Sequence, residues 1–346
     1  MTAVTRPDRP QLHPGTTPLG PVPPRSHREE ETVHLLVLRR LAWSLPSLGI
    51  VSALTFVLAS LTPGDAARVV LGTNTDPAAY DRVRDQLGLD QPLWSQYGDW
   101  LAGAFRGDLG QSLFTGEPVL DIIGARLGVT LTLILSATLL AAVVGVTLGL
   151  VGAVRGGIAG RVTDGLAMLG MAVPTFWLGL LLILLFATRL GWFPATGFVP
   201  FGVDPAGWLR SFTLPVLALS VGGVATIAKQ TRGAVLDAMA TEHVRALRAN
   251  GVPDRRIVLT HCLKNAAVPV TTVVGLVMIG LLGGTILVEQ VFALPGLGQL
   301  AVSATLSHDL PVLVGVVTVY TLVVLGSNLL TDLGYAWLSP RVEVSR

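Results

Sequence analysis

Charged side chains are scarce in this chain. Asp, Glu, Lys and Arg supply 13% of its 346 residues, against roughly 25% in a soluble domain. With 51% hydrophobic residues and a mean hydropathy of +0.64, much of the chain never meets water. Cysteine is nearly absent too. Cys262 stands alone, which excludes an internal disulfide and a cysteine zinc cluster. Lysine occurs only at Lys229 and Lys264, and neither closes a Gly-x-x-x-x-Gly-Lys-Ser/Thr loop, so no phosphate cradle is present. His-Glu-x-x-His is missing, and no Ser/His/Asp or Cys/His arrangement has supporting context. The chain therefore reads as a non-enzyme that binds no cofactor or metal of its own. A net charge of +2 points to no nucleic-acid partner.

What is present is a series of long uncharged apolar runs. They lie between Arg40 and Asp65, Arg126 and Arg155, Asp164 and Arg189, Arg210 and Lys229, Lys264 and Glu289, and Asp309 and Asp332. A helix needs about 20 apolar residues to cross the hydrocarbon. The runs predict an all-α integral membrane protein with six spans, near 41–62, 128–153, 165–187, 211–228, 267–288 and 310–331. Another uncharged stretch, Gln290 to His308, carries Pro295, Gly296, Gly298, Gln299 and Ser303 and reads as a loop. Before the first span, residues 1–33 hold Pro7, Pro10, Pro14, Pro18, Pro21, Pro23 and Pro24 and read as a disordered tail. The first span has about 40 residues ahead of it and too long an apolar run for a cleaved signal, so it should remain as an anchor.

Orientation follows from the basic residues. With the N-terminus inside, both lysines and most arginines fall on the cytoplasmic side, while Arg68, Arg82, Arg84, Arg106, Arg126, Arg189 and Arg210 fall outside. Both termini are expected in the cytoplasm. Two polar segments remain. Residues 63–126 make a long outer segment with short helices, such as Pro77 to Leu87 before the stop signal Gly88. Residues 229–266 make a basic inner segment, and a connection that long usually has a task.

The spans hold no ionisable side chain, which argues against an ion-coupled secondary transporter, the alternative class. They do hold Thr130, Thr132, Ser136, Thr138, Thr147, Ser220, Thr271, Thr272 and Thr285, which either line a weakly polar path or bond helix backbone. Gly145 with Gly149, and Gly280 with Gly284, have the four-residue spacing that lets helices approach closely.

The inner segment predicts a helix through Ala240 to Ala249, a stop at Gly251 and a new helix capped by Asp254. This helix–turn–helix resembles the cytoplasmic coupling motif of ABC importer permeases, in the branch handling dipeptides, oligopeptides, nickel and glutathione. That branch reads Val-Arg-Thr-Ala-Arg-Ala-Lys-Gly and then His-x-Leu-Arg-Asn-Ala-x-x-Pro. Val244, Arg245, Arg248, Ala249 and Gly251 match the first part. His261, Leu263, Asn265, Ala266 and Pro269 match the second, with Lys264 in place of arginine. Pro63-Gly-Asp65, Leu87-Gly-Leu-Asp-Gln-Pro-Leu-Trp-Ser-Gln-Tyr97, Gly107-Asp-Leu-Gly-Gln-Ser112, Pro174-Thr-Phe-Trp-Leu-Gly179 and Leu190-Gly-Trp-Phe-Pro-Ala195 are similar to further family signatures. Glu289, Phe292 and Pro295-Gly-Leu-Gly298 match its strand-like outer loop before the last span.

The resemblance implies a permease domain over 34–346 in a bacterial inner membrane. It implies a second homologous permease, two cytoplasmic ATP-binding subunits carrying ATP-Mg, and an extracellular or lipid-anchored solute-binding protein. A cytoplasmic coupling helix between spans four and five would meet the ATPase through Glu242, Arg245, Ala246, Arg248, Gly251, Arg255 and Arg256. The outer residues Gly107, Asp108, Gly110, Glu289, Pro295, Gly296 and Gly298 would contact the binding protein or seal the path. The solute itself stays open.

Overall fold

The computed structural model describes residues 26–62, Gly64, 66–72, 76–86, Gly88 and 90–338. Most of the proline-rich tail, Pro63, Asp65, Leu87, Leu89, Arg341 and Arg346 lie outside the described residues. The described chain is helical: α1 (Ser26–Ser60), α2 (Ala66–Leu71), α3 (Pro77–Gln86), α4 (Leu93–Ala104), α5 (Val119–Arg155), α6 (Gly157–Ala172) and α7 (Thr175–Leu182) come first. Then follow α8 (Pro205–Met239), α9 (Glu242–Ala249), α10 (Asp254–Ile257), α11 (Leu263–Phe292), α12 (Leu297–Ser307) and α13 (Leu310–Leu338). Among the described residues, the β content is a single antiparallel bridge between Gln111 and Pro118.

Among the described residues, five helical stretches are long and apolar enough to span: Ala42–Ser60, Val119–Arg155, Pro205–Met239, Asp254–Phe292 and Leu310–Gly334. The expected third span, 165–187, is not one helix. α6 and the pair α7 plus the π turn Ile183–Arg189 meet at 98° and make a sixth span only if taken together. Pro174 explains the break. It has no N–H to donate back, and it forces Val173 into an extended conformation with φ −82° and ψ 121°.

Other boundaries shift as well. α1 begins at Ser26, inside the range expected to be tail. α8 starts earlier and ends later than 211–228. Asp204 accepts the Ala206 N–H at 3.0 Å, and Pro205 takes the first helical position, where its missing N–H costs nothing. The stretch Gln290 to His308, expected as a loop, contains α12. Gly296 opens that helix, and its uncharged apolar residues Leu297, Leu300 and Ala304 are buried.

α8 is the hub, packed by α5, α6, α7 and α11. α5 meets it through the glycine spacing seen in the sequence. A Cβ on Gly145 would lie 2.8 Å from Ile227 Cβ, and one on Gly149 would lie 2.5 Å from the Ala228 carbonyl oxygen. Gly280 differs, with nothing within 4 Å. At the periphery, α1 packs on α13, and Arg40 pairs with Asp332 at 2.6 Å. The start of the α1 apolar stretch and the end of α13 therefore lie on one side.

Gly149→Ala should lower stability by about 1–3 kcal/mol, because the backbone of α8 must move away from the new methyl group. Gly280→Ala should leave it unchanged. Thermal unfolding of both purified variants in one detergent checks the contrast.

Candidate functional site

Two places combine chemistry with order. The first is the turn between α9 and α10. α9 begins at Glu242, two residues later than expected, and ends in a Schellman motif. Gly251 N–H donates to the Arg248 carbonyl at 3.0 Å, and Val252 N–H to the Leu247 carbonyl at 3.1 Å. Gly251 has φ +75°, a conformation that a side chain resists. Val244 is fully buried against Ala153, Val235, Ala238, Ile257, Val258 and Cys262, and Leu247 and Val252 pack beside it. The knuckle is thus riveted to the bundle by its apolar side.

Its other side is open. Glu242, Arg245, Ala246, Arg248, Gly251, Arg255 and Arg256 are all exposed. Asp254 is the first residue of α10, and the capping position falls to Pro253. Asp254 instead receives Arg248 Nε at 2.8 Å, which ties the two arms of the turn together. Arg245 reaches Glu242 at 3.3 Å within α9. Such exposed pairs stabilise little. Their value is in orienting the cations.

The second place is the far end of α11. Glu289 was expected in a strand-like loop. It sits in the last turn of α11 and is fully buried. Thr130 Oγ1, on α5, donates to Glu289 Oε1 at 2.7 Å, and Gln299 N–H donates to Oε2 at 3.0 Å. The Gly298 N–H also serves the carboxyl. Thr130 Oγ1 in turn accepts the Leu297 N–H at 2.8 Å. The first turn of α12 is thus capped by a carboxylate and a hydroxyl from two other helices. A helix N-terminus has orphan N–H groups and a partial positive charge, so it suits a buried carboxyl group. Gly296 and Gly298 are required by contact. A Cβ on Gly296 would collide with the Glu289 carboxyl, and one on Gly298 would lie 2.7 Å from Ile286 Cα.

Glu289, Gly296 and Gly298 are therefore buried within this chain, while Pro295 is half-buried. They form a knot between helices and present no open contact surface. Gly107 and Asp108 are exposed and Gly110 is half-buried. Asp108 Oδ1 accepts the Gly110 N–H at 2.8 Å, and Gly110 accepts the Val119 N–H at 2.9 Å to set the entry of α5. Next to this turn, Ser112 Oγ donates to the buried Asp309 Oδ2, and Leu113 N–H reaches Oδ1 at 3.3 Å. Asp309 precedes α13, so the bond staples the segment before α5 to α13.

Sequence reasoning passed over the roles of Thr130, Ser112, Asp309 and Val244. Thr130 and Glu289 are 159 positions apart, and Ser112 and Asp309 are 197 apart. No local pattern links such partners. Thr147, Ser220, Thr272 and Thr285 bond the backbone of their own helices. Among the described residues, no group of three or more His, Cys, Asp or Glu is arranged to hold a metal.

A family model described as the binding-protein-dependent transport system inner membrane component matches residues 145–344. The model for the N-terminal part of such membrane components matches residues 33–134. The chain belongs to this family. This permease is 41% identical over 309 residues to a putative peptide transport system permease protein of Brucella abortus, covering 89% of this chain and 98% of that one. It is 37% identical over 308 residues to a glutathione transport system permease protein of Escherichia coli K12, with the same coverage. Its fold is similar to a chain of the inward-facing MetNI methionine ABC transporter. The TM-score is 0.53 and the identity 20%, over 64% of this chain and 98% of that one. The protein is thus a multi-span membrane permease component of an ABC importer, a transport subunit with no catalytic domain.

Glu289→Ala should cost about 2–4 kcal/mol, because two backbone N–H groups and the Thr130 hydroxyl lose their acceptor in a buried site. Glu289→Gln keeps one carbonyl acceptor and should lose less. Comparing the thermal midpoints of the two purified variants checks the order.

Proposed function

We propose that this permease forms the solute path of an ATP-driven importer for peptides, or for a similar small solute such as glutathione or a nickel complex. The observation that carries the coupling mechanism is the α9–α10 knuckle. It is rigid, anchored by Val244 on one side and cationic and open on the other. Such a shape fits the groove of a cytoplasmic partner. Both termini lie in the cytoplasm in this reading, with the knuckle. A second, homologous permease completes the path. Two cytoplasmic subunits bind ATP-Mg, and an extracellular or lipid-anchored binding protein delivers the solute.

The helix that leaves the knuckle supports a direct mechanical link. Asp254–Phe292 is one continuous helical stretch, through the π turn Val258–Cys262 and past Pro269, from the turn to the Glu289 knot. At about 1.5 Å per residue this is a lever of roughly 58 Å. ATP binding would favour one of two global states, and the state in which the ATPase pair closes carries α9 with it. Glu289, Thr130 and the N-terminus of α12 then move as one body with the outer end of that lever, which makes the knot a seal. Gly107, Asp108 and Gly110 stay exposed enough to meet the binding protein. An open apolar cavity of about 330 Å³ lies between α5, α6 and α8, and Thr163 and Ser220 supply its hydroxyls. A path along such a wall would hold a peptide weakly, leaving selection to the binding protein.

Gly251→Val should leave membrane insertion intact and abolish uptake. A β-branched residue at φ +75° costs about 1–2 kcal/mol and tilts the docking face. The checks are uptake of labelled peptide in cells and co-purification of the ATPase with the tagged chain. Normal uptake by this variant would remove the knuckle from the mechanism.

A further inference from the structure

α4 belongs to the segment expected to stand in water, yet its faces suit a different surroundings. At about 3.6 residues per turn, Trp94, Gly98, Ala102 and Phe105 fall on one stripe. All four are exposed, with Trp94 at 80% and Phe105 at 78%. Tyr97, Trp100, Leu101 and Ala104 turn toward the protein, where Trp100 and Ala104 pack with Leu109, Val119 and Ile123. Ser95, Asp99 and Arg106 occupy the remaining arc. The helix has three faces: one on protein, one polar, and one apolar and exposed.

Its position explains the third face. Tyr97 stacks on Trp100 and meets the edge of Phe56 on α1, with ring centroids 6.0 and 5.6 Å apart. The Tyr97 hydroxyl lies 3.0 Å from Ser52 Oγ and donates to the Gly49 carbonyl at 3.2 Å. The apolar stretch of α1 ends at Ser60. Gly49 is therefore about 16 Å below that end, roughly halfway through a hydrocarbon layer of about 30 Å. The neighbouring surface of α1 is itself bare and apolar, with Ile50, Leu54, Val57 and Leu58 exposed. The stripe on α4 continues that lipid-facing surface.

We propose that α4 is an amphipathic helix lying in the bilayer leaflet next to Ser60, with Trp94, Gly98, Ala102 and Phe105 against lipid acyl chains. Asp99 and Arg106 then face headgroups and water, the order expected of an interfacial helix. The anchor fixes the depth of the outer segment and, through the Gly107–Ser112 turn, the entry of α5. The inference rests on the membrane-spanning reading of α1. It does not depend on which side is the cytoplasm.

The test is a depth measurement on the assembled transporter in lipid nanodiscs, where both faces are open to reagents. In a Cys262→Ala background, nitroxide labels are placed by Trp94→Cys, Phe105→Cys, Asp99→Cys and Glu117→Cys. Power saturation compares collisions with oxygen, which concentrates in lipid, and with a water-soluble nickel chelate. Labels at 94 and 105 should favour oxygen several-fold, and those at 99 and 117 should favour nickel. Phe105→Cys gives an independent reading if the Trp94 variant does not assemble. Preference for nickel at 94 or 105 places the stripe in water and overturns the proposal. Shielding from both reagents overturns it too, because it assigns the stripe to a protein partner. A label within the α1 apolar stretch, at Leu54→Cys, separates these outcomes from a failure of α1 to span.

Discussion

Inside a bilayer, lipid solvates an apolar side chain as well as a neighbouring helix does, so the bundle is held by close contact and not by exclusion of water. The contact that the others depend on is between α5 and α8. Gly145 and Gly149 bring the two backbones together at Ile227, Ala228 and Thr231, and Gly223 on α8 does the same toward Val277 on α11. Once α8 is fixed between these partners, α6 and α7 have a surface to fold back on. The 98° bend at Pro174 then becomes a defined corner.

The same absence of water makes each buried polar group conditional on a partner. The start of α12 exposes backbone N–H groups in the middle of the protein. Glu289 and Thr130 resolve that demand from outside the helix, and the result joins α5, α11 and α12 at one point. Ser112 and Asp309 do the equivalent for the segment before α5 and for α13. Between the first of these polar ties and the knuckle runs the helical stretch Asp254–Phe292. One end of that helix is held by apolar contacts of Val244, Leu247 and Val252, the other by a carboxylate.

The family motif at Val244 to Gly251 was legible because it is local. A Schellman turn needs a glycine in one place and an apolar pair around it, and Leu247, Gly251 and Val252 supply them within six residues. Glu289 is not legible in the same way. Its neighbours Pro295, Gly296 and Gly298 carry strong turn signals, and a carboxylate beside them looks like loop chemistry. Only the arrival of Thr130 from α5 and of the α12 backbone turns the same residue into a buried cap. The expected third span is bent for a related reason. Composition counts apolar residues, whereas Pro174 acts on direction.

Composition by itself determined that this is a multi-span helical membrane protein, because long uncharged runs admit no other way to satisfy the backbone in lipid. Local motifs determined the helix–turn–helix and, by resemblance, the family. Tertiary structure alone decided which glycines matter, with Gly149 wedged against α8 and Gly280 facing open space. It alone decided that Glu289 is capped inside the protein and that α4 lies beside the middle of α1. Spacing along a chain records what one helix can do, but a contact between residues more than a hundred positions apart exists only after the helices have packed.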